Sequence, residues 1–272
     1  MHLICPICGS KSHETLKINA KEGIKKLLLC TSCSHAWAEN FHLQHSLKTY
    51  YDEYYNHKSY NLPIKNAKQL LIGKRLNAAC KGFGSILDIG CGTGDFLFNL
   101  HPSWIKHGVE LVKKRAEITR LYTSANVQTN FIEDCDYEPE TFQCVTMFAV
   151  IEHISNPNLI IDKVWEILKP GGVFMLMTGD RTSRKAVRNG TEWRLYKAYG
   201  HLHFFSKLSL DLLLANRGFI IEEHVWRFSF EKHHQNLFIQ YMLWGIQVLW
   251  EIFPQLLRQN YGDEIYVLCR KP

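Results

Sequence analysis

Four cysteines stand in two C-x2-C pairs, Cys5 with Cys8 and Cys30 with Cys33, with 21 residues between the pairs. Four thiolates at this spacing can close a tetrahedral zinc site, and the polar, lysine-rich stretch between them has too little core to fold without a metal. A closed set of four thiolates has no open coordination position, so the expected role of Zn2+ is structural. A redox C-x-x-C pair fits less well, because there are two pairs and no strand-helix-strand unit around either. His13 and His35 offer substitute ligands; with four cysteines present, both are expected at the surface.

A second chemical stretch spans residues 85–98, SILDIGCGTGDFLF. A short apolar run ending in Asp88-Ile89, the loop Gly90-Cys91-Gly92-Thr93-Gly94, and an apolar segment opened by Asp95 read as strand, tight turn and helix. Glycines at 90, 92 and 94 let the backbone turn and keep Cβ atoms away from a ligand lying on it, while the helix N-terminus offers spare N–H groups. A second short strand, residues 105–109, ends in Glu110, whose carboxylate could accept both hydroxyls of a ribose. The spacing is GxGxG, not GxGxxG. Asp88, two residues before the first glycine, is awkward beside a pyrophosphate and suits a ligand carrying an ammonium and a sulfonium.

This loop resembles motif I of the class I S-adenosylmethionine-dependent methyltransferases. Residues 142–154, FQCVTMFAVIEHI, resemble that family's fourth strand and following turn; 168–172, LKPGG, resemble the turn before its fifth strand; and 200–206, GHLHFFS, resemble a segment common in its small-molecule members. The resemblance covers residues 66–272. It implies an α/β fold with a Rossmann-like seven-stranded methyltransferase sheet, and S-adenosylmethionine as cofactor. It implies that Asp88, Gly90, Cys91, Gly92, Gly94, Glu110 and Leu111 bind that cofactor. It also implies an acidic contact to the adenine amino group, for which Asp134 is the choice, with Glu133 and Asp136 as neighbours able to exchange with it.

Methyl transfer from a sulfonium needs an aligned acceptor, and a base if the acceptor is protonated. Three histidines are candidates: His153 at the end of the 144–148 strand, and His201 and His203 in GHLHFFS. Each has the alternative role of fixing a loop by hydrogen bonding. Phe148-Ala149-Val150 stands where base-amino methyltransferases carry an NPPY- or DPPY-type motif. A small-molecule acceptor is therefore expected, such as a sugar, polyketide, quinone or lipid-linked intermediate. The alternatives are an RNA methyltransferase whose zinc ribbon holds substrate, and a methyltransferase-like binding protein without turnover.

The elements that must hold these groups follow the same logic. Residues 1–40 form the ribbon, 41–65 an aromatic linker or lid containing Tyr54, Tyr55 and Tyr60, and 66–272 the methyltransferase domain. Helices are expected at 66–80, 113–122, from 157 to 168 and at 207–216; strands at 127–131, 144–148, 173–178, 219–228 and 264–270. Residues 179–199 read as a loop whose arginines, lysines and aromatics could hold a phosphorylated, nucleotide-linked or RNA substrate. Residues 236–258 read as a mostly apolar helix with one polar stripe, for burial at the sheet edge, a homodimer seam or peripheral membrane contact; it is too interrupted for a spanning segment.

Composition sets the outer bounds. With 272 residues and 46% hydrophobic content the chain can build a normal core, and a net charge of +6 permits an anionic partner without demanding one. The N-terminal MHLICPIC lacks the long apolar run of a signal peptide, so a cytoplasmic protein with its nine cysteines reduced is expected.

Overall fold

The computed structural model describes residues 4–20, 23–39, 60–227 and 262–272. Most of the aromatic linker and the expected helix at 236–258 lie outside the described residues.

The stretch between the cysteine pairs is a hairpin. Strands β1 (His13–Ala20) and β2 (Gly23–Cys30) pair in unbroken antiparallel register from His13 opposite Cys30 to Ala20 opposite Gly23, which brings the two C-x2-C turns to one end. Strand β3 (Ala36–Ala38) extends this sheet, and its outer edge takes β9 (His203–Phe204), 165 or more residues further on in the chain. The order β1-β2-β3-β9 thus joins the cysteine-bearing hairpin to GHLHFFS.

The larger sheet has the order β10-β11-β8-β7-β4-β5-β6. Strands β4 (Ser85–Ile89), β5 (Ile105–Val109), β6 (Asn126–Gln128), β7 (Phe142–Phe148) and β8 (Leu168–Gly179) run parallel; β11 (Glu264–Arg270) lies antiparallel between β8 and β10 (Ile220–Arg227). Parallel neighbours need crossover helices, and the sequence supplies them. Helix α1 (Ala67–Ala79) leads into β4, and the crossover helices are α2 (Asp95–Asn99), α3 (Lys113–Thr123) and α4 (Pro157–Ile167), while β6 reaches β7 through a 3-10 turn at Ile132–Asp134. Helix α4 starts where Asn156 caps it and Pro157 supplies a preset first-turn φ. Helices α5 (Arg184–Asn189) and α6 (Lys207–Ala215) complete the described set, α6 being opened by a Ser206–Ser209 capping box.

Apolar residues fill both faces of the large sheet. Leu87, Val145, Met147, Phe174 and Val267 face α4 and α6, and Ile86, Cys144, Met175 and Leu268 face α1 and α2. A third cluster joins Leu27, Ala36 and Ala38 of the small sheet to Trp193, Tyr196 and Phe204.

Three expectations change. Residues 168–172 belong to β8 itself, and the expected strand at 127–131 contracts to Asn126–Gln128. The 179–199 loop contains α5 and is fastened down: Trp193 and Tyr196 are buried, and Asp263 takes the Trp193 indole N–H at 3.1 Å together with Lys185 at 3.3 Å and Arg194 at 3.4 Å. Arg181 donates to the Ser34 carbonyl and the Tyr196 hydroxyl. Three of the cations expected to greet an anionic substrate are therefore engaged internally.

Candidate active site

The cleft opens at the C-terminal ends of β4, β5 and β7, where parallel α/β sheets place their ligands. After β4 the chain turns at Gly90, φ +74°, and a Cβ there would lie 2.3 Å from the Val150 side chain. Gly92 takes φ +60°, a conformation strained for a residue with a Cβ, and the Arg115 guanidinium lies 2.8 Å from where that Cβ would be and would have to move. The N–H groups of Gly90 and Cys91 donate to the Val109 carbonyl at 2.8 and 3.1 Å, fastening the loop to the end of β5.

Glu110 sits directly across. Its Oε2 accepts from the Gly92 N–H at 2.9 Å and its Oε1 from the Val112 N–H at 3.0 Å, and the residue is buried. Both oxygens are aimed by backbone donors, and each keeps lone-pair capacity for a ligand hydroxyl. Asp88 is held beneath the loop, 3% exposed, with the Thr146 hydroxyl donating to its Oδ1 at 2.7 Å. Burial, with the Glu110 charge adding to it, pushes its carboxyl up to about 7. Burial likewise keeps the Cys91 thiol protonated, which removes it as a nucleophile.

The cavity measures about 310 Å³, within the range of small-molecule sites. Gly90, Glu110 and Leu111 line it, with Arg115, Asn130, Phe131 and Ile132 on the same side. The acid on the wall is Glu133; Asp134 follows it in the same 3-10 turn and is not part of the lining. The opposite wall is Phe148, Ala149, Val150, His153 and Ile154. Ala149 takes φ +54°, a left-handed value uncommon outside glycine, where the chain leaves β7. Arg115 and Asn130 carried no sequence signal: Arg115 ends the basic run Lys113-Lys114-Arg115 at the start of α3.

The three histidines separate. His153 lines the cleft, and its Nδ1 donates to the Gly200 carbonyl at 3.0 Å; burial pulls it down to about 4. His201 stands edge-on to it, ring centroids 4.6 Å apart, and burial holds it well below the usual histidine range. His203 points away into the seam with the small sheet, where its Nδ1 lies 2.9 Å from Nε2 of His35. His35 is thus wholly buried, stacked between Trp37 and His203, not a surface residue. Glu152, absent from the sequence-derived candidates, is buried behind His153, takes the Thr178 hydroxyl at 2.9 Å, and has its carboxyl raised to about 7 by burial.

At the end of the hairpin, Sγ of Cys5 lies 3.6 Å from that of Cys33, and Sγ of Cys8 lies 3.5 Å from that of Cys30. Tetrahedral thiolates about 2.3 Å from zinc would stand about 3.8 Å apart, so this donor set fits the metal. The Cys33 thiol, helped by the backbone N–H groups of Cys8 and Ile7, favours the Cys5 thiolate and lowers it to about 5, while that same contact and burial push the Cys33 thiol up.

A family described as a methyltransferase domain matches residues 56–224. Ubiquinone biosynthesis O-methyltransferase of Shewanella sp. (strain ANA-3) is 24% identical over 151 residues, 51% of this chain and 64% of the relative. Its counterpart in Xanthomonas euvesicatoria pv. vesicatoria is 32% identical over 108 residues, 36% of this chain and 44% of the relative. The chain thus spans less than two thirds of the length of these curated relatives. Among solved structures, a SAM-dependent methyltransferase from Thermotoga maritima superposes with a TM-score of 0.53 at 20% identity, over 84% of this chain and 99% of its own. One from Archaeoglobus fulgidus gives 0.53 at 19% identity, over 75% and 94%. Taken with the sheet order and the glycine cleft, the match over most of the chain shows that it belongs to the methyltransferase domain family.

Proposed function

We propose that the chain transfers the methyl group of S-adenosylmethionine to a hydroxyl of a small acceptor, a phenol or quinone-ring precursor. The observation that carries this is the cleft itself. The Gly90–Gly94 loop and the twice-anchored Glu110 form a preorganised ribose cradle, and the wall from Phe148 to Ile154 leaves an apolar space beyond it for a ring. The names of the curated relatives point to the same acceptor class.

In this reading Glu110 accepts the ribose hydroxyls, Glu133 or its neighbour Asp134 meets the adenine amino group, and Asp88 braces the loop near the methionine end. The donor methyl is activated by the sulfonium, so the protein's task is alignment, with the corner made by Glu152, His153 and His201 facing the acceptor oxygen. Zinc on Cys5, Cys8, Cys30 and Cys33 holds the hairpin, and through β9 it steadies the segment that carries His201. RNA is disfavoured, because Arg181, Lys185 and Arg194 are engaged internally.

Calorimetric titration of the zinc-loaded protein with S-adenosylmethionine and S-adenosylhomocysteine, followed by incubation with radiolabelled donor and a panel of catechols and hydroxyquinols, tests this. Binding of both at micromolar order and label in an O-methyl product are expected. Absence of cofactor binding overturns the reading.

A further inference from the structure

We propose that Glu152, His153 and His201 form a second metal site, for a divalent transition cation, at the acceptor end of the cleft. The site's purpose rests on the methyl-transfer reading above; the binding itself does not. One ligand atom from each residue can be chosen so that all three lie within 4.8 Å of one another. Two imidazoles and one carboxylate on one side of an ion are the set that holds Fe(II), Mn(II), Co(II) or Zn(II) with positions left open. A single carboxylate among nitrogen donors disfavours Mg2+ and Ca2+, which take oxygen ligands.

The surroundings are those of a ligand set. His153 gives its Nδ1 hydrogen to the Gly200 carbonyl, which fixes the tautomer with its lone pair on Nε2, the usual arrangement of a coordinating imidazole. Glu152 is oriented by the Thr178 hydroxyl. The two segments are tied together before any ion arrives: the Leu202 N–H donates to the Glu152 carbonyl at 2.8 Å, and the Lys25 ammonium holds the His201 carbonyl at 2.6 Å. Among the described residues no cation pairs with the Glu152 carboxyl; burying it in charged form is costly, and a bound cation removes that cost.

Because His153 lines the cleft, a cation held by this set would lie at the cleft wall, within reach of an acceptor bound there. A hydroxyl contacting the cation gives its proton to solvent more readily. The oxygen then forms the O–CH3 bond as the S–CH3 bond breaks, and the bonding pair stays on sulfur, leaving a neutral thioether.

The test is Co(II) titration of the full chain with its four-cysteine site already zinc-filled. One equivalent should bind with the weak visible bands of a nitrogen-oxygen site, not intense thiolate charge transfer, and proton NMR should show two shifted imidazole N–H resonances. Glu152→Gln and His201→Asn should each weaken Co(II) binding at least tenfold. Absence of both the bands and the shifted resonances in the unmodified protein overturns the site, whatever the variants do. Retained binding in folded variants does the same. Folding and the cofactor cleft are checked in parallel by S-adenosylhomocysteine binding, whose loss would count against the methyl-transfer reading instead.

Discussion

Glu110 combines two duties in one carboxylate. It accepts the Gly92 and Val112 N–H groups, and its remaining lone pairs are proposed to meet the ribose. Glu110→Gln keeps the shape but turns one oxygen into a donor facing a backbone donor. Charge-assisted hydrogen bonds of this kind are worth about 1.5–3 kcal/mol, so S-adenosylmethionine affinity should fall about 10- to 100-fold by calorimetry, with a modest loss of melting temperature. Unchanged affinity in a folded variant would remove the ribose assignment. Asp88 makes a different prediction. Its carboxyl titrates near 7 in the folded chain and near 3.8 when unfolded, so the folded state holds the extra proton between those values. Stability therefore falls as pH rises from about 4 to about 7, by an amount on the order of 3 kcal/mol, and is flat above. Asp88→Asn keeps an acceptor for the Thr146 hydroxyl and should abolish that component. Denaturant midpoints at pH 4.5 and 7.5 should converge relative to the parent protein; an unaltered difference would show that Asp88 is ionised throughout.

At the scale of elements, β4, β5 and β11 lie where the sequence places them. In β11 the apolar run Ile265–Cys269 carries the signal, as expected of a strand buried on both faces, whereas β5, with Lys106, His107 and an exposed Ile105, is legible from its place between the glycine loop and Glu110. Strand β9 was not legible as an edge partner. Two residues of GHLHFFS gain strand geometry only by pairing with β3, a contact across some 165 residues that no local pattern encodes. For the same reason His35 reads as a polar residue near the surface, although His203 waits on the other side to share its hydrogen. The arrangement makes β9 depend on the cysteine hairpin: Ser206 Oγ donates to the Cys33 carbonyl at 2.7 Å and Arg181 to the Ser34 carbonyl at 2.8 Å. Stripping the zinc proposed on the four cysteines with a chelator should therefore speed amide exchange at Leu202 to Phe205 at least tenfold. Equal protection with and without metal would mean that the segment is held by the large sheet alone.

For the whole molecule, the question is whether the two sheets fold as one unit. A tethered ribbon would share few buried contacts with its neighbour. Here Trp37 is buried in the same cluster as Phe205, Leu210 and the α4 face of the large sheet, and the Asn158 amide reaches back to the Pro6 carbonyl. Leu27, Ala36 and Ala38 pack with Trp193, Tyr196 and Phe204 in a further shared cluster. Separate folding would expose both clusters, so the hairpin and the large sheet should unfold together. Trp37→Ala removes an indole that is 1% exposed and should cost about 3–5 kcal/mol, lowering the melting temperature by about 6–20 °C. The decisive readout is coincidence: release of the zinc proposed on the four cysteines, followed by a chelating dye, and loss of S-adenosylhomocysteine binding should share one midpoint in the parent and in the variant. If zinc were released at a lower temperature while the cleft still bound its ligand, the hairpin would be an appendage, and the dependence of His201 on its metal would fall with it. A shared midpoint would instead make the four cysteines part of the scaffold that sets the acceptor end of the cleft.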